Sequence, residues 1–337
     1  MNLQGIVHKV EKWIKMFWLK TSLHSILGTM KFQKPIKLIA FLLIFLSAVL
    51  FAQDKKIYIL HTNNTNGALE NCYCPDRPYG SVEKRSVYVS SFIKKHPNSI
   101  LVDAGDIFTM AHRSYKDSLM AEAYKLLPYD AILYGDQELT MDSKTLDNLT
   151  DQMAIPVVST NLKRKGVVPS KIINRGGVRV AVLGVMDEYA VKYYPKEIKE
   201  KIELLDPIES IKNEMDRLSN KADIFVLLSH NGFDIDQSIA QKIDGLDIIV
   251  GSHSQSSIES PEEVNGTLIV QAGKAGYYIG VVDVSMKDGK VVEKTGKIDT
   301  MKFEMPDDPR IMKLIEEYEQ TTGRMNRNKQ KMMKAKN

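Results

Sequence analysis

The sequence predicts an α/β protein built around a layered sheet. Short β-branched runs alternate with helix-compatible stretches over residues 57–250, the pattern of stacked sheet and helix layers. After residue 264 the texture becomes β-rich, with turn-like Gly residues. No internal repeat and no Gly/Ser-rich linker interrupts residues 54–300, so one domain over 53–300 is expected.

In chain order, the run 57–61 (Ile-Tyr-Ile-Leu-His) reads as a strand, 81–95 as a helix and 99–103 as a second strand. A helix over 115–127 precedes apolar strands at 131–134, 156–159 and 178–185. Helices at 207–219 and 235–243 alternate with strands at 224–229 and 247–250. The segments 268–271, 277–286 and 291–298, separated by Gly-containing turns, read as antiparallel hairpins. Asp307-Asp308-Pro309 opens a last helix within 301–323.

Residues 38–52 form an unbroken apolar run after Lys31, Lys34 and Lys37, ending in Ala52 before a polar stretch. This is the form of a signal peptide over 30–52, with Met30 as the expected start and 1–29 as an upstream extension. The run is shorter than the ~20 residues of a spanning helix, which favours cleavage after Ala52, although Leu50 at the minus-three position keeps a retained anchor open. Export to a periplasm or cell envelope is therefore expected. Seven Lys against one Glu in residues 1–52 carry the positive excess, so the formal net charge of +4 becomes −2 without them. A tail over 324–337 with six Lys and Arg and no acid leaves −8 for residues 53–323. Such a tail reads as disordered, solvated or in contact with an anionic membrane surface, and an acidic body excludes nucleic acid as a partner. Cys72 and Cys74 are the sole cysteines; in an oxidising compartment they form a disulfide, bind a soft metal or stay as free thiols.

Metal-capable residues recur where strands run out: His61-Thr62-Asn63-Asn64-Thr65-Asn66, Asp103-Ala104-Gly105-Asp106, Gly135-Asp136-Gln137-Glu138, Ser229-His230-Asn231 and Ser252-His253-Ser254-Gln255. Any one alone reads as a turn or cap. Five in succession at strand ends converge along one sheet edge.

Over residues 55–320 this order resembles the calcineurin-like metallophosphoesterases, and among them the catalytic domain of periplasmic 5′-nucleotidases. The resemblance implies a β-sandwich flanked by helices. It also implies a two-metal site written D-x-H, G-D, G-N-H-E, a lone H and G-H-x-H, whose counterparts here are Asn64-x-Asn66, Gly105-Asp106, Gly135-Asp136-Gln137-Glu138, His230 and Ser252-His253-Ser254-Gln255. Amides at Asn64, Asn66 and Gln255 stand where one metal's ligands would be, and neutral amides are weak ligands. The other metal's positions hold Asp106, Asp136, His230 and His253, a set that suits one divalent Zn, Mn or Fe ion; the rival reading is unmetallated polar loops. Gln137 replaces the family's catalytic histidine and cannot transfer a proton near neutral pH. Gln137 and Asn66 are the catalytic candidates, with Asn64, His112 and Arg113 on the substrate side. In full-length 5′-nucleotidases a second, C-terminal domain reads the base, and the resemblance, which ends near residue 320, is expected not to extend to it. Two functions follow: a single-metal hydrolase of phosphate monoesters or nucleotides, or an inactive relative that binds a metal, a phosphate-like ligand or a protein partner.

Overall fold

The computed structural model describes residues 54–74 and 79–336. The expected upstream extension and signal segment (1–52), and the stretch from Pro75 to Pro78 in the cysteine loop, lie outside the described residues. No helix among the described residues is long and apolar enough to cross a membrane.

Among the described residues, thirteen strands form two sheets. In the first, β1 (Lys55–Thr62), β2 (Ser99–Asp103), β3 (Ala131–Ile132), β4 (Val157–Val158) and β5 (Val167–Val168) run parallel. The second is centred on β6 (Ser170–Arg175), β7 (Val178–Val185), β8 (Ile224–Ser229), β9 (Ile248–Gly251), β10 (Glu262–Val264) and β11 (Thr267–Val270), in the order β10-β11-β9-β8-β7-β6. The hairpin β12 (Tyr278–Lys287) and β13 (Lys290–Thr300) then returns to the first sheet, where β12 pairs antiparallel with β1. The helices are α1 (Val82–Lys95), α2 (Ser114–Lys125), α3 (Asp136–Leu139), α4 (Ser143–Met153), α5 (Lys196–Lys199), α6 (Pro207–Leu218), α7 (Phe233–Lys242), α8 (Pro309–Thr322) and α9 (Arg327–Lys336).

Strand period assigns the layers. In β8, Ile224, Val226 and Leu228 join Ile57, Ile59 and Val282 of the first sheet in a core between the sheets, while Leu227 packs outward with Ile211 and Ile239 of α6 and α7. On the other side Leu60, Leu101 and Ile132 meet α1, α2, α4 and α8 through Val89, Met120, Leu149 and Ile311. The architecture is a two-sheet sandwich flanked by helices, as the resemblance implies. The parallel pairings bring strand ends level: Thr62 stands beside Asp103, and Ser229 beside Gly251.

Three expectations change. The 268–271 segment is β11, which pairs parallel with β9 in the second sheet and antiparallel with β10, not with 277–286. The connection through 272–277 crosses between sheets, so local turn signals misstate the pairing. Helix α4 and strand β6 go beyond the sequence reading. Asp142 caps α4 by accepting from Thr145 N–H at 3.0 Å. A Gly176-Gly177 turn, with φ of 58° and 71°, joins β6 to β7. The tail expected to be disordered forms α9 instead, because it has partners. Lys329 pairs with Glu319 at 2.8 Å, and Asn328 Nδ2 donates to the Cys72 carbonyl at 3.1 Å.

Candidate active site

The level strand ends deliver the polar loops to one place. Asp106 follows β2 and Asp136 follows β3, while His230 and His253 follow β8 and β9. Glu138 organises the first two loops: its carboxylate accepts from the N–H groups of Asp106, Ile107, Phe108 and Gly135 at 2.7–3.1 Å. Burial, then the Asp106 charge, pushes its carboxyl up to about 7. Gly135 is required where it stands, since a Cβ there would lie 2.3 Å from Asp106 Oδ1 and 2.6 Å from His230 Cε1. Asn64, Asn66, Asp106, His253 and Gln255 all have positive φ, backbone that non-glycine residues rarely adopt and that clusters at functional loops.

Asp136, His230 and His253 converge, with one ligand atom from each all within 4.8 Å of one another. Asp136 Oδ1 lies 2.9 Å from His230 Nε2 and 3.0 Å from His253 Nδ1. Asp106 Oδ1 is 3.4 Å from His230 Nε2. The Ala104 carbonyl, 2.8 Å from His230 Nδ1, accepts that ring hydrogen and turns Nε2 toward the carboxylates. Burial opposes the Asp136 charge, but hydrogen bonds from His230 and His253 outweigh it and hold the carboxyl well below the usual range. Against its own burial, His230 is held well above the usual imidazole range by Asp106 and Asp136. This donor set, two imidazoles and a carboxylate with Asp106 beside them, fits a divalent metal ion.

The neighbouring position is built differently. Asp106 Oδ2 accepts from Asn64 Nδ2 and from Gln137 Nε2, both at 3.0 Å. Gln137 Nε2 also donates to Asn66 Oδ1 at 2.7 Å, and Asn64 Oδ1 accepts from Asn63 Nδ2 and Ser252 Oγ, both at 2.9 Å. The Asp106 carboxylate can only accept, which fixes the orientation of both amides toward it. The side chains that resemble a ligand set thus present N–H groups toward this carboxylate oxygen. Gln137 Oε1 is buried without a hydrogen-bond partner. Half-buried Gln255 makes no hydrogen bond to this cluster among the described residues.

His112 is exposed at the rim, its Nε2 3.4 Å from Thr140 Oγ1, and Arg113 is exposed beyond it; neither contacts the ligand cluster. Cys72 and Cys74 are joined as a disulfide, which removes both thiolates as ligands for a soft metal. Sequence reasoning misses Tyr194, whose hydroxyl donates to Asp136 Oδ2 at 2.6 Å, and also Ser252 and Asn63. Ser252 and Asn63 carried a signal, as the residues before His253 and Asn64 in the quoted motifs, and Tyr194 carried none.

A two-sheet sandwich with these loops on one edge defines the calcineurin-like metallophosphoesterase fold. No protein-family model matches the chain. Its homologues are 5′-nucleotidases and metallophosphoesterases, among them a snake venom 5′-nucleotidase from Naja atra, 29% identical over 297 residues, which is 76% of this chain and 55% of that protein. The chain spans about half the length of the curated relatives it matches. The fold is shared with a 5′-nucleotidase precursor from Thermus thermophilus (TM-score 0.71, 24% identity, covering 79% of this chain and 59% of that one). It is also shared with the calcineurin-like phosphoesterase YfkN from Bacillus subtilis (TM-score 0.66, 19% identity, 80% and 98% covered).

Proposed function

We propose that the chain is an exported, metal-dependent phosphoric ester hydrolase, similar to 5′-nucleotidases, that works through a single divalent Zn, Mn or Fe ion on phosphate monoesters or nucleotides. The observation that carries this reading is the contrast at Asp106. One oxygen faces the Asp136–His230–His253 cluster, and the other is occupied by the amides of Asn64 and Gln137.

Asp136, His230 and His253, with Asp106 beside them, would hold the ion. When bound, it supplies a Lewis acid and lowers the pKa of a coordinated water to about 7. The chain's own groups do the rest. Asn64 and Gln137 hold Asp106 in place by donating to its second oxygen. The Gln137 carbonyl offers an acceptor to a water or substrate hydroxyl but takes no proton. His253, the one member of the cluster with a substantially exposed side chain (29%), marks the solvent side of the site.

The test is metal analysis and turnover on one preparation of the full chain. Expected are about one tightly bound ion per chain and hydrolysis of phosphomonoesters that His230→Ala abolishes. Two tightly bound ions would defeat the single-metal reading. Absence of turnover with every metal tried would replace the hydrolase by a binding protein.

A further inference from the structure

Away from the metal-ligand cluster, a groove of ≈ 630 Å³ runs between the start of α2 and the turn joining α8 to α9. Arg113 and Lys116 line one side, Arg324 and Arg327 the other, and the Tyr318 ring and Glu70 complete it. Gly323, at φ 64°, caps α8 in the left-handed conformation and redirects the chain so that α9 lies back on the body. Lys329 fastens it there, 2.8 Å from Glu319 and 3.9 Å from Glu70.

Glu70, the one carboxylate lining the groove, acts on both Lys329 and Lys116. The guanidinium groups of Arg113, Arg324 and Arg327 form no ion pair or hydrogen bond among the described residues, and Lys116 stands 5.7 Å from the centre of the Tyr318 ring. Four cations against one shared carboxylate leave the groove with a positive excess that an added anion would neutralise. The body they sit on is acidic, −8 over residues 53–323, so general basicity does not explain the cluster. The volume is that of a small-molecule site. Guanidinium forks match phosphate oxygens in geometry, and an aromatic wall lined by an ammonium accommodates an organic substituent.

We propose that this groove binds a multiply charged, phosphate-bearing small molecule, at a site separate from the metal-ligand cluster. The binding is independent of whether that cluster turns substrate over.

Calorimetric titration of the full chain with inorganic pyrophosphate, without added metal, tests it. Expected is one site per chain that weakens with rising salt. It is retained in His230→Ala and lost by roughly tenfold or more in Arg324→Glu/Arg327→Glu. Lys287→Glu, at an exposed cation on the end of β12, should bind as the parent does. Loss of binding in His230→Ala would locate the anion at the metal ligands and overturn the proposal. Equal weakening by Lys287→Glu would reduce it to diffuse ion attraction and overturn it as well. A third arm offers phosphatidic acid in phosphatidylcholine vesicles: binding there with none to soluble pyrophosphate would make the groove a membrane contact and overturn the small-molecule site. Unchanged thermal unfolding certifies the double variant, and Arg324→Gln/Arg327→Gln replaces it if the charge reversal does not fold.

Discussion

At Asp106 one carboxylate oxygen faces imidazole and the other faces two amides, and the second arrangement can be tested by changing one atom. Asn64→Asp replaces the amide nitrogen that donates to Asp106 Oδ2 at 3.0 Å with an oxygen. Two buried carboxylates then meet without a cation between them. Loss of a hydrogen bond to a charged group, with like-charge repulsion added, is expected to cost about 2–3 kcal/mol of stability in chelated protein. Divalent metal should recover much of it, since the new carboxylate is a ligand. Urea unfolding with and without metal reads both effects. A variant as stable as the parent in chelator would show that the Asn64 amide does not stand in for a cation. The loops that carry Asp106, Asp136, His230 and His253, the four residues proposed to hold the ion, were legible because each begins where a strand ends, and the choice of these four within them came from the family resemblance. Tyr194 was not, since it lies 58 residues from Asp136 in a loop with no periodic signal.

Among the elements, α8 carries a local charge arrangement that pH can probe. Asp308 caps the helix by accepting from Arg310 N–H at 2.9 Å; it also takes the Arg310 fork and the Ser86 hydroxyl, tying α8 to α1. The Arg310 hydrogen bond, against a smaller effect of burial, lowers its carboxyl to about 2, from 3.8. A folded value below the unfolded one gives stability that is full above about pH 4 and lost as pH falls through about 2. Asp308→Asn keeps a good cap but removes the charge; it should cost about 1–2 kcal/mol at pH 7, a discount on the full shift because Arg310 is half exposed. The gap should shrink as pH drops from 4 toward 2. Neighbouring Glu83 titrates in the opposite sense: burial raises it to about 7, so its contribution declines as pH rises from about 4.5 to 7. The difference between variant and parent, followed by thermal unfolding at each pH, isolates Asp308; a gap constant across that window would refute the assignment. Capping of this kind was readable from Asp307-Asp308-Pro309. The same reasoning at Asp142 and Gly176-Gly177 could have found α4 and β6. By contrast, the pairing of β11 with β9 and the docking of α9 depend on partners distant in sequence, which no local signal encodes.

For the whole molecule, the proposed ligands come from both layers of the sandwich: Asp106 and Asp136 from ends of the first sheet, His230 and His253 from ends of the second. A bound ion would therefore link the two sheets, and binding to the folded state alone must raise stability by mass action. At free metal near 100 times Kd the gain is about 2.7 kcal/mol, or roughly 4–5 °C in Tm for a chain of this size. Chelation should remove the gain, and His230→Ala should show none. Tyr194 refines the test, because its hydroxyl holds Asp136 Oδ2 and so leaves Oδ1 as the oxygen turned to the histidines. Without that hydroxyl Asp136 can rotate, and loss of such an outer partner weakens metal binding about tenfold or more. Tyr194→Phe should therefore bind metal about tenfold more weakly and lose about 1.4 kcal/mol of the metal-induced gain at a fixed, saturating concentration. Its metal-free form should fall by no more than one hydrogen bond to a charged group, about 1.5–3 kcal/mol. Calorimetric metal titration and paired thermal scans distinguish these quantities. A metal-induced shift identical in Tyr194→Phe and parent would leave the hydroxyl with a packing role alone, and a shift that survives His230→Ala would move the ion away from the sheet-linking cluster.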